Sequence, residues 1–231
     1  MEKLVYLLFD SAERDGAELR EGLIGTAAAR LREAGASRIA VNVNDEDVPH
    51  DVDSLRRQSN PPIRAMVSFW MENSDDRRPC ERALEDHAKR ICGYLVVESI
   101  PLVNTEHRVA PGERTPGANV IACVRRKPGL PDHEFYDIWF NDQKTVAIEC
   151  QDSFGYKRNA VVRHLTAGAR VWDGIVEESF SIEALRDPKV WYDARSDEEF
   201  ERNVGRMMAN VERFLDSGPL ETTPMSEYLL D

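Results

Sequence analysis

The chain has 231 residues, 42% of them hydrophobic and 31% charged, which is enough apolar content for a packed core and too much for a disordered chain. Its formal net charge of -12 repels phosphates, so nucleic acid and anionic membranes are excluded as expected partners. No stretch approaches the roughly 18 consecutive apolar residues of a membrane span, and the apolar start, Met1 to Asp10, lacks a basic leader, so a cytoplasmic protein is expected.

Lys3 to Phe9 reads as a first strand that is apolar on both faces, so both must be covered. A helix from Ala17 to Ala34 follows, with Leu19, Leu23, Ala27 and Leu31 on one stripe and Gly35 closing it. Arg38 to Asn44 alternates as a second strand, and Asp45 to Pro62 reads as a long acidic loop containing His50. A third strand covers Ile63 to Met71. Pro79 opens a second helix with Cys80, Leu84, His87, Ala88 and Ile91 inward, and a fourth strand spans Tyr94 to Val103. The order is β-α-β-β-α-β, that of a ferredoxin-like unit.

Asn104 to Gly117 reads as a linker, after which the order returns. A strand from Asn119 to Arg125 leads to a helix from Asp132 to Gln151. Strands Tyr156 to Leu165 and Trp172 to Phe180 come next. Then follow a helix from Asp197 to Leu215 and a last strand at Met225 to Leu230. Each element follows its counterpart by about 110 to 125 residues, apart from an added helical turn at Ile182 to Arg186 before Pro188. One such unit covers only one sheet face with helices, so two units are expected to bury their open faces together. The predicted fold is α+β: two tandem ferredoxin-like halves, 1–112 and 113–231, forming one intrachain barrel with a cavity between the sheets.

Arg126-Lys127-Pro128-Gly129-Leu130, the helix residues Phe135 and Trp139, and the run Phe154 to Asn159 resemble the EthD family of dimeric α+β barrel proteins. The resemblance covers the second half. It implies a cofactor-free cyclase, dehydratase or oxygenase that acts on a hydrophobic ring compound. Members of that family commonly carry a histidine four residues after the tryptophan. This chain has Gln143 there, preceded by Asp142, and an amide cannot shuttle a proton as an imidazole does.

Tyr156, Arg158 and His164 share one strand face, and Asn159 and Arg163 share the other. A phenol, a cation and an imidazole together could polarise a carbonyl and move a proton, but a one-residue slip exchanges the two faces. Glu178 falls on the more apolar face of the next strand, where a carboxylate must be paired or have a raised pKa. The catalytic candidates are therefore His164, Arg158, Tyr156 and Glu178. Trp139, Asp142, Gln143, Asn159 and Trp172 are the binding candidates.

The cysteines Cys80, Cys92, Cys123 and Cys150 form no CxxC pair, and the histidines have no metal-ligand spacing, so no metal is expected. Nucleotide and serine-hydrolase motifs are also absent. The first expectation is thus a cofactor-free enzyme, monomer or homodimer, with a hydrophobic small molecule as partner. A carrier or sensor with the same cavity is the second reading. A haem protein, which would need His164 or His87 as axial ligand, is the third.

Overall fold

The computed structural model describes residues 1–49, 59–216 and 218–231; His50 lies outside them. The strands are β1 (Glu2–Phe9), β2 (Ser37–Val43), β3 (Ile63–Met71), β4 (Arg90–Leu102), β5 (Ala118–Val124), β6 (Ser153–His164), β7 (Gly174–Phe180) and β8 (Glu221–Leu229). They close into a barrel in the order β1-β3-β2-β8-β5-β7-β6-β4, with every neighbouring pair antiparallel. The fold is therefore α+β around an eight-stranded closed barrel, and closure leaves no strand edge unpaired.

The helices lie outside the barrel. Helix α1 occupies residues 16–33 and changes to π geometry at Leu23–Ala27. Its N-cap is Asp15, whose carboxylate accepts from the Ala17 and Glu18 amides. Gly35, at φ +88°, turns the chain away after it, as its place in the sequence suggests. Helix α2 (Arg78–Glu85) is shorter than expected: Ile91 belongs to β4, where it pairs with Leu8. Helix α3 occupies residues 132–150, with a π segment at Ile138–Gln143. Two short helices, α4 (Ile182–Arg186) and α5 (Pro188–Trp191), precede the long α6 (Asp197–Phe214).

Strand alternation sorts the core into layers. In β1, Leu4, Tyr6 and Leu8 pack under α1 and α2, whereas Val5, Leu7 and Phe9 point into the barrel. One end of the interior is apolar, with Cys92, Cys123, Trp172 and Ile175. The other end holds a buried polar network. Lys3 Nζ donates to Glu98 (2.5 Å) and to Asn159 Oδ1 (2.8 Å). Asn159 Nδ2 and Lys157 Nζ both donate to Glu177, at 2.9 and 3.0 Å. Burial alone would raise the Glu177 carboxyl, but Lys157 and Lys3 outweigh it and bring the pKa down to about 2.

These side chains fill most of the space in which a ligand cavity was expected, leaving a recess of about 340 Å³ at the polar mouth. The larger cavity lies elsewhere, between the barrel wall and the helices of the second half.

Candidate functional site

The outward positions of the second-half strands are small or narrow: Val120, Ala122 and Val124 on β5, and Gly174 and Val176 on β7. Helices α3 to α6 bridge over them. The space between holds a cavity of about 640 Å³, floored by the sheet and roofed by Trp139, Met207, Trp191 and Tyr192. Gly174 is needed here because a Cβ would come within 2.3 Å of the Trp139 ring, which lies against β7 at this point.

The π segment of α3 supplies Trp139 and Gln143. Insertions of this kind re-aim helix side chains and recur at functional sites. Gln143 is fixed by two contacts: its Oε1 accepts from Asn210 Nδ2 (2.7 Å), and its Nε2 lies 3.2 Å from Met207 Sδ. Arg158 holds the same segment from below. Its Nη1 donates to the Trp139 carbonyl (3.0 Å), its Nε to Ser99 Oγ (3.1 Å), and its guanidinium lies over the Phe140 ring (4.2 Å).

Glu178 stands on the cavity floor. Among the described residues it has no ion pair or hydrogen bond, and desolvation alone raises its pKa to about 7. The carboxylate is only partly accessible, on the cavity side. Tyr156 is its cross-strand partner on β6. Burial raises the phenols of Tyr156 and Tyr192, and the Glu178 charge raises both further. An unpaired carboxylate poised near neutrality in an apolar chamber can take and return a proton.

Of the residues singled out by sequence, the structure gathers Glu178, Tyr156, Trp139 and Gln143 around this cavity, with Arg158 directly behind it. The face carrying Tyr156 and Arg158 points toward the helices, and Asn159 points into the barrel. His164 does not join them. It is exposed at the far end of β6, edge-on to the Tyr94 ring at 5.6 Å, because a register shift between Val161 and Arg163 pairs it with Tyr94 on the barrel-interior face. Asp142 is paired with Arg213 at the surface (2.8 Å). Trp172 precedes β7 and sits in the apolar barrel interior. Tyr192, Trp191 and Gln151 line the cavity without having been anticipated. The sequence signal for Trp191 and Tyr192 is the Val190-Trp191-Tyr192 run after Pro188, in the added segment, and Gln151 carries none.

Among the described residues no group of three or more His, Cys, Asp or Glu is placed to hold a metal, and no helix is long and apolar enough to cross a membrane. None of the described histidines (His87, His107, His133, His164) lines the cavity, so its residues do not fit a haem with an axial imidazole.

No family model and no curated protein matches the sequence. Solved structures do match in fold. An anthrone oxidase-like protein superposes with a TM-score of 0.54 at 13% identity, covering 98% of this chain and 91% of its own. A candidate monooxygenase from Fusobacterium nucleatum gives 0.50 at 10% identity, with 100% and 92% covered. A dye-decolorizing peroxidase from Bacteroides thetaiotaomicron gives 0.50 at 10%, with 100% and 93% covered. At such identities the likeness is one of fold: this chain is built on the same α+β barrel architecture as these three proteins.

Proposed function

We propose that the protein binds an apolar ring compound between its second-half sheet and helices, and transfers a proton with Glu178 without needing a cofactor. One observation carries this reading: among the described residues Glu178 is a carboxylate without a partner, its pKa raised to about 7 by burial, on the floor of a large apolar chamber. Trp139 and Tyr156 would stack on the ring, Gln143 would orient a polar substituent, and Arg158 would hold the π segment that presents Trp139. The chain is read as two tandem ferredoxin-like halves, 1–112 and 113–231, the second EthD-like. The barrel order supports this division, since β4-β1-β3-β2 and β8-β5-β7-β6 each run fourth, first, third, second.

The anthrone oxidase-like and monooxygenase-like neighbours suggest oxygenation as the reaction type. Anthrone is therefore a suitable first probe. Glu178 would take a proton from its methylene carbon, the carbanion would reduce and bind O2, and loss of water would leave the quinone. One O2 is consumed and one water released. The wild-type rate, corrected for spontaneous oxidation, should rise as pH passes through about 7. Glu178→Gln should lower kcat at least ~100-fold while anthrone still binds. An unchanged rate in that variant would remove Glu178 from the chemistry. Gln143, standing where the family resemblance implies a proton-shuttling histidine, favours the second reading of a carrier or sensor. Binding without turnover across ring compounds would select it.

A further inference from the structure

From the charge lining the cavity we infer its ligand class: a ring compound bearing a protonated amine, with the ammonium seated on Glu178 and flanked by the Tyr156 and Tyr192 rings. This rests on the reading that the cavity is the ligand site. Three charged residues line it: Glu178 on the floor, and Arg186 and Asp216 on its helical side. Arg186 is exposed, and Asp216 uses Oδ1 to accept from the Gly218 amide (3.1 Å). Among the described residues no cation therefore answers Glu178 from within the chamber.

A desolvated carboxylate without a counter-charge is an unfavourable element of the folded state, and a ligand that brings positive charge relieves it. Aromatic faces add to that preference, because their quadrupoles attract cations. Five aromatic side chains, Trp139, Tyr156, Trp191, Tyr192 and Phe214, line the chamber. An anionic ligand would meet like charge, and the Arg158 guanidinium behind the floor is already engaged by the Trp139 carbonyl, Ser99 and the Phe140 ring. Fatty acids, acyl phosphates and aromatic carboxylates are therefore disfavoured. The bound ammonium also holds Glu178 ionised, the form in which it can accept a proton from a neighbouring carbon.

One ring system in three charge states tests this: 9-(aminomethyl)anthracene, 9-anthracenemethanol and 9-anthracenecarboxylate. Their affinities follow from anthracene fluorescence at pH 7 in physiological salt, which screens the protein's net charge of -12. The amine should bind at least ~10-fold tighter than the alcohol, and the carboxylate weakest. Glu178→Gln should bring amine and alcohol to within about twofold of each other. The wild-type protein at pH 5, where Glu178 is protonated and the phenols of Tyr156 and Tyr192 stay neutral, should lose the same preference without any substitution.

An amine that gains nothing over the alcohol refutes the inference and leaves the ligand site standing. A preference that survives both Glu178→Gln and pH 5 assigns it to the acidic surface and also refutes it. If none of the three binds, the inference fails together with the proposed function.

Discussion

Glu178→Gln should stabilise the protein at alkaline pH and leave it unchanged at acid pH. An unfolded glutamate titrates near 4.5, and Glu178 in the folded protein near 7. Because the folded value is the higher one, the stability this group contributes is complete below 4.5 and is lost as pH rises through about 7. The interval corresponds to about 3 kcal/mol at full burial. Water in the cavity screens part of it, leaving about 2 kcal/mol. A glutamine has the size of the protonated acid and carries no charge, so the variant escapes the loss. For a chain of this length 2 kcal/mol is about 4–8 °C in Tm. Thermal melts of both proteins at pH 5 and pH 8 give the result directly. At pH 5, just above the unfolded value, the two should differ only slightly, and the variant should melt clearly higher at pH 8. A Tm difference equal at both pH values, or a variant less stable at pH 8, would mean that Glu178 has a partner in solution and is not the unpaired group described here.

Lys3→Met should cost about 3–5 kcal/mol, because Glu98 and Glu177 would stay buried with one cation fewer. The same variant should have a weaker acid transition. Glu177 contributes stability that is present above 4.5 and lost as pH falls toward about 2, and Lys3 is part of what holds it low; urea titrations at pH 3 and pH 7 measure both effects. His164→Ala should leave ring binding and turnover unchanged and alter stability by no more than about 0.5 kcal/mol, as for other exposed positions. A loss of activity would place the site at the wrong end of β6.

Alternation along β1, β3, β5 and β7, the helix stripes, and the returning order of elements made the strands and their layering readable from sequence. Boundaries were less so: Ile91 continues the α2 stripe in spacing, yet it pairs with Leu8 in β4. Pairing is a property of two strands, and one strand's periodicity carries no record of its partner. The same limit applied to β6. Alternation put Tyr156 with Arg158 and Asn159 with Arg163, but which pair faces a cavity depends on what the opposing layers fill. Strict alternation puts His164 on the Tyr156 face, but β6 carries one extra residue between Val161 and Arg163, and this pairs His164 with the barrel-interior Tyr94 and turns it away from the site.

The position of the cavity does have a sequence correlate, although it takes both halves to see it. On the first-half wall, Tyr6 stacks on Phe69 (5.6 Å between centroids, 7° between planes) and donates to Glu81 (3.2 Å), with Met71 and Leu84 beside them. Those side chains occupy the layer between sheet and helix on this wall. In the second half the corresponding outward positions of β5 and β7 carry valine, alanine and glycine. Large residues come instead from the helices, where Trp139 rests against Gly174, Trp191 stacks on Phe180, and Tyr192 lines the space between them. A sheet packs at a fixed distance from its helices only when the side chains between them are large enough to fill the gap. Small residues on the floor under a roof held up by aromatics leave the volume that Glu178 occupies alone. The burial of that carboxylate is thus set by Val120, Ala122 and Val176 as much as by Glu178 itself.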